Sequence, residues 1–179
     1  MIVIGIDQGV ANVGYAVLNY QSKGDFQLLE SGAIKTKPNK ELEERIGEIY
    51  KRVDLLIQKY KPTHMGCERF FFNASDKTMK FRSATIVRTN MVSGVLFLLA
   101  HQHRMSIKDY VPGTIKKHVT GDGRASKEEV IQSIQALVTQ QGQAIALKND
   151  HEADAIAIAL AVGDEAKKIK EDEEWTNMS

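Results

Sequence analysis

The 179-residue chain predicts an α/β layered domain built on a mixed sheet. Three observations carry this. The chain opens on a continuous apolar run, MIVIGID, that ends in an acid, the mark of a central strand buried on both faces. Two strand-like runs follow, NVGYAVLNY and FQLLESGAIKT, separated by QSKGD, which reads as a hairpin turn. Beyond them, helix-type and strand-type patterns alternate.

The later elements follow in order. Residues 41–60 set Leu42, Ile46, Ile49, Val53, Leu56, Ile57 and Tyr60 at helical spacing, an amphipathic helix stopped by Pro62. Met65 to Glu68 reads as a fourth strand. Residues 75–104 read as mainly helical, 106–111 as a further strand and Thr114 to Val119 as a short helix. Ser126 with Glu129 forms a capping box that opens a helix through about Val138. The last apolar segment, AIAIALAV, alternates with period two. Alanine is nevertheless a poor strand former, and the segment runs on as EAKKIKEDEE, so a helix from about 150 to 170 is expected. No repeat or linker divides the chain. Residues 1–162 are expected to form a single domain, and 163–179 a charged helix end with a disordered tail.

Composition sets the class. Apolar residues are 42% and charged residues 26% of the chain, as in ordinary soluble globular domains. No apolar run approaches the roughly 18 residues that a bilayer span needs. MIVIGID has no basic region or cleavage site, so no secretory signal is expected. The one cysteine, Cys67, has no internal partner for a disulfide, which fits a reducing compartment. Net charge is +1, unevenly spread: residues 163–179 hold six acids against three lysines, −3 there and +4 over residues 1–162. A mildly basic body with an acidic tail is compatible with a nucleic-acid partner.

Candidate chemistry lies in the acids. Asp7 ends the first strand and Glu68 the fourth, and sites in α/β sheets gather where strands end. His151 and Asp154 are three apart on the last helix and share a face, with Asp150 near it. If that helix packs beside the two strands, three carboxylates and an imidazole converge. Like charges at such range repel, and a divalent cation relieves them. Oxygen ligands favour Mg²⁺ or Mn²⁺, and an imidazole shifts the preference toward Mn²⁺. Two such ions roughly 3.5–4 Å apart suit hydrolysis of a phosphodiester by water. His151 is then either a ligand or a group that handles the water's proton.

The pattern also carries a resemblance. IGIDQGVANVGYAVL at 4–18, CERFFFN at 67–73 and HEADAIAIALA at 151–161 resemble, in order and spacing, the motifs of the RuvC family of Holliday junction resolvases. The resemblance runs through about residue 162. It implies a ribonuclease-H-like fold, with a mixed five-stranded sheet flanked by helices. It implies a metal-dependent endonuclease that cuts four-way and other branched DNA by paired nicks, in recombination and repair or in resolving packaging and replication intermediates. By it, Asp7, Glu68 and Asp154 match the three family carboxylates. His151 falls where many members carry a fourth acid and some carry His. These four are then the catalytic residues and the ligands of two Mg²⁺ ions, for which Mn²⁺ substitutes. The chain departs from the motif at Gln8, where Pro usually follows the Asp. That departure, with His151, points to a divergent, phage-type member in the cytoplasm of a bacterial or phage-infected cell.

Two stretches read as DNA-facing. RFFFNASDKTMKFR interleaves Phe70, Phe71 and Phe72 with Arg69, Lys77, Lys80 and Arg82, and such mixtures stack on bases and contact phosphates. The resemblance selects Phe71 as the ring that wedges into the junction centre. Lys116, Lys117, His118, Arg124 and Lys127 cluster around a Gly-Asp-Gly turn, a face suited to phosphate contacts. Here too the resemblance is specific: it sets Lys116 and Lys127 beside the catalytic centre. It also makes the apolar helix at 86–99 the interface of a homodimer, which would present two sites to a four-way junction. Three other readings stand beside this one. A non-catalytic branched-DNA module would bind junctions without metal. A related nuclease would act on RNA. GIDQGVANVG also resembles the phosphate loop of actin-like ATPases, which need two such domains.

Overall fold

The computed structural model describes residues 1–69, 79–143, 147 and 149–178, the side chains of 79–85 and of 177–178 excepted. Its strands are β1 (Ile2–Asp7), β2 (Asn12–Ser22), β3 (Asp25–Lys35), β4 (His64–Glu68) and β5 (Ser106–Tyr110). Its helices are α1 (Leu42–Tyr60), α2 (Met79–Gln102), α3 (Pro112–Thr120), α4 (Lys127–Gln140) and α5 (Asp150–Met178). The strands form one mixed sheet in the order β3-β2-β1-β4-β5. β1, β2 and β3 pair antiparallel as a meander, while β4 and β5 add parallel to β1. This is the five-stranded α/β architecture that the sequence and the resemblance predict.

Each face of the sheet has its own core, and strand alternation decides which side chain enters which. Ile4 and Ile6 of β1 and Met65 and Cys67 of β4 face α1 and α2, among Ile49, Val53, Val92 and Leu96. Burial pushes the Cys67 thiol up to about 12, so it packs as a small apolar group. The residues between them, Val3 and Gly5, face α5, as do Gly66 and, by the same alternation, Asp7 and Glu68. Helices α3 and α4 pack on α5 through Ile115, Val119, Val130, Ile134 and Val138.

Helix α5 explains the period-two segment. Residues 155–163 are all buried, so the alternation does not separate inside from outside. It separates large from small: Ile156, Ile158 and Leu160 fill space while the alanines let the helix lie close to the sheet. The approach is backbone to backbone. A Cβ on Gly5 would collide with the carbonyl of Ala155, and one on Gly14 with the carbonyl of His151.

One boundary differs from expectation. Helix α5 continues to Met178 instead of giving way to an irregular tail near residue 170. Its last turns are exposed and rich in Lys and Glu, both good helix formers that need no packing partner. Other boundaries match the sequence. Ser126 and Glu129 exchange both capping-box bonds at the start of α4. Lys61 takes the left-handed conformation (φ 51°) that ends α1 just before Pro62.

Candidate active site

The parallel pairing of β1 and β4 builds the site. Gly5 pairs with Gly66 and Ile6 with Cys67, so the next step places Asp7 beside Glu68, both directed toward α5. Helix α5 brings His151 and Asp154 from its first two turns. That first turn is tied down by Asn149, whose side-chain Oδ1 accepts from the Glu152 N–H at 3.1 Å and whose Nδ2 donates to Glu152 Oε1 at 3.0 Å. A cleft of about 170 Å³ results, lined by Asp7, Glu68, Lys116, Lys127 and Asp154, with Ile115, Val130 and Ile158 among its apolar walls.

Three of the four predicted acid-site residues line this cleft, and His151 stands behind Asp7. Its Nδ1 donates to Asp7 Oδ2 at 2.7 Å, so one ring nitrogen is already engaged. The carboxylates disturb one another. Burial, then repulsion from Asp7 and Asp154, pushes Glu68 up to about 7 against the pull of Lys116. Burial, then Asp7, pushes Asp154 up to about 6 against the pull of Lys127. Burial also raises Asp7, opposed by its bond to His151. A cleft lined by three raised carboxyls offers hard oxygen donors and gains from added positive charge, which is the chemistry of a divalent-cation site. Among the described residues, no three His, Cys, Asp or Glu side chains yet close around a single metal position. The acids line one cleft without converging on one point.

The basic residues separate into two groups. Lys116 and Lys127 reach the cleft from α3 and α4. Lys116 Nζ donates to the Ala125 carbonyl at 2.7 Å, and Lys127 pairs with Asp150 at the start of α5. Lys117 and Arg124 are exposed and do not line the cleft. The Gly-Asp-Gly turn between them has a local cause: Gly121, at φ 86°, caps α3 by donating its N–H to the Lys117 carbonyl. Arg69 forks onto Asp109 of β5, Nε donating to Oδ2 at 2.6 Å, so its guanidinium braces the sheet end. Phe70, Phe71, Phe72 and Lys77, and the side chains of Lys80 and Arg82, lie outside the described residues.

Sequence reasoning did not find Asp109, whose partner is set by strand register, nor the role of Gln8. Gln8 is buried and its amide bonds to the backbone of Glu68 and to Ser93. The only signal for it in the sequence was its departure from the motif.

The family model described as "Crossover junction endodeoxyribonuclease RuvC" matches residues 3–162. The chain belongs to the RuvC family. The RuvC crossover junction endodeoxyribonuclease of Alkaliphilus metalliredigens is 36% identical over 160 residues, covering 89% of this chain and 91% of that one. The structure of Thermus thermophilus RuvC in complex with a Holliday junction substrate is 27% identical, with a TM-score of 0.80 over 94% of this chain and 96% of the other. The yeast mitochondrial Holliday junction resolvase, 14% identical, shares the fold at a TM-score of 0.65, over 98% of this chain and 85% of that one. The RuvC match covers all three motifs and sets aside the actin-like ATPase reading.

Proposed function

We propose that the chain is a metal-dependent, structure-selective endonuclease that resolves four-way DNA junctions by paired nicks, with Asp7, Glu68 and Asp154 holding two divalent cations. The observation that carries this is that these three acids line one cleft, which Lys116 and Lys127 also enter, in a chain of the RuvC family. Divalent cations bound there supply Lewis-acid stabilisation of the charge that builds on the phosphodiester. Lys116 and Lys127 meet the phosphate oxygens beside the scissile bond. His151 takes the proton of the attacking water; the Asp7 carboxylate that accepts from Nδ1 orients the ring, as carboxylates orient imidazoles at metal sites. The engagement of Nδ1 by Asp7 supports proton handling over metal ligation for His151. Phe71, with Arg69, Lys77, Lys80 and Arg82, forms the junction-facing segment, and Lys117 and Arg124 follow the phosphate backbone further out.

A homodimer suits a twofold junction, and α2 offers its surface. Val87, Met91 and Leu98 are exposed apolar residues that fall on one stripe with Gly94 between them. No helix among the described residues is long and apolar enough to cross a membrane. The bacterial RuvC relatives support a site of action in the cytoplasm of a bacterial or phage-infected cell.

The test is cleavage of a labelled four-way junction by the wild type, Asp7→Asn and His151→Ala with Mg²⁺ and with Mn²⁺. The wild type is expected to nick symmetrically. Asp7→Asn should bind without cutting, and His151→Ala should bind normally and cut at least about 100-fold more slowly. Equal cutting by wild type and Asp7→Asn would end the assignment.

A further inference from the structure

We propose that Gln8 is a positioning residue for Glu68, its side-chain amide completing the β1–β4 ladder one step past Cys67. The proposal rests on the assignment of Glu68 to the active site. Main-chain pairing between β1 and β4 stops at Ile6 and Cys67. The Gln8 side chain then takes over. Its Oε1 accepts from the Glu68 N–H at 3.0 Å, and its Nε2 donates to the Glu68 carbonyl. Both main-chain groups of Glu68 on this edge are thereby satisfied, as a further strand residue would satisfy them, because a primary amide carries donor and acceptor in one plane.

The clamp is closed on its other sides. The second Nε2 hydrogen goes to Ser93 Oγ of α2 at 3.0 Å, and Ser93 Oγ donates to the Thr89 carbonyl at 3.4 Å. Across the strand, Glu68 pairs with Tyr110, and the next N–H, of Arg69, donates to the Tyr110 carbonyl at 2.7 Å. Gln8 is 4% exposed, so water cannot readily replace either bond to Glu68. The peptide that carries the Glu68 side chain is thus gripped from both edges, at the point where the acid faces like-charged Asp7 and Asp154. Without the grip, that repulsion would swing the last residue of β4 away from the cleft. Proline, the usual residue here in the motif, could make neither bond. Through Ser93 the device links Glu68 to α2.

The test uses Gln8→Met, which keeps length and burial but removes both bonds, alongside Glu68→Gln. Amide hydrogen exchange of Glu68 in the metal-free, DNA-free protein should speed by about tenfold or more as the pairing is lost. The Mg²⁺ concentration for half-maximal junction cleavage should rise about tenfold, the usual size for loss of a group that orients a metal ligand. Junction affinity measured in chelator should stay as in wild type. Should Gln8→Met not fold, Ser93→Ala, which frees the outer end of the clamp, should raise the Mg²⁺ requirement about twofold to threefold. If Glu68→Gln is inactive while Gln8→Met (or, in its place, Ser93→Ala) keeps wild-type exchange and metal requirement, the clamp is refuted and the active-site reading stands. If Glu68→Gln cuts like wild type, the assignment of Glu68 falls and the proposal falls with it.

Discussion

Replacing Glu68 by Gln should make the metal-free protein more stable at alkaline pH. Burial and the neighbouring Asp7 and Asp154 raise Glu68 from 4.5 to about 7. The folded protein therefore binds this proton more tightly than the unfolded chain does. Stability from the protonated form is complete below 4.5, erodes as pH rises, and is gone once pH has passed about 7. At about 1.4 kcal/mol per tenfold change in proton affinity, ionised Glu68 costs about 3 kcal/mol at pH 8. Glutamine keeps the shape and drops the charge, so it removes that cost. For a chain of this size, about 3 kcal/mol corresponds to a rise in Tm of roughly 6–12 °C. The assay is thermal unfolding of both proteins in chelator at pH 4 and pH 8. The gap should be wide at pH 8 and nearly closed at pH 4. Adding Mg²⁺ at pH 8 should raise the wild type and leave Glu68→Gln almost unmoved. A Glu68→Gln protein that unfolds at or below the wild-type temperature at pH 8 in chelator would refute the reasoning.

Three further outcomes follow from other parts of the molecule. Gly5→Ala drives a methyl into the backbone of α5, so it should cost about 3 kcal/mol or more by urea denaturation and slow junction cleavage in whatever still folds. Glu30 is held below the usual carboxylate range by Lys59, then by the hydroxyls of Tyr60 and Tyr15. Glu30→Gln should therefore cost about 1–2 kcal/mol at pH 7, and the difference should vanish as pH falls through the lowered value of Glu30. Leu98→Glu places a charge on the exposed stripe of α2. Sedimentation should report a monomer, and nicks on the two junction strands should lose their pairing.

Much of the fold was legible because local signals and tertiary structure agree. The apolar run before Asp7, the capping box at Ser126 and the proline after α1 each carry their own cause. The period-two segment at 155–162 was correctly a helix, because alanine content outweighed alternation. What local signals could not supply was register. That Asp7 and Glu68 are neighbours follows from Ile6 pairing with Cys67, a contact across 61 residues of chain. Register likewise sets Asp109 across from Cys67, where the Arg69 side chain reaches it, a pairing that no local signal announces. His151 was visible as a candidate, but its bond to Asp7 depends on how closely α5 approaches β1. Gln8 was visible only as an oddity, since a side chain that substitutes for a strand's main chain leaves no periodic trace.

The close seating of α5 has a consequence for how the site tolerates change. Most helices rest on a sheet through a cushion of side chains, so that every core substitution shifts them a little. Here the carbonyls of Ala155 and His151 rest directly over Gly5 and Gly14. The spacing between Asp154 and Asp7 is therefore set by main-chain stereochemistry, which mutation of larger residues does not alter. The core under α1 and α2 can drift in sequence while the distance across the cleft stays put. The glycines and alanines that look least informative in the chain are the gauge blocks of its active site.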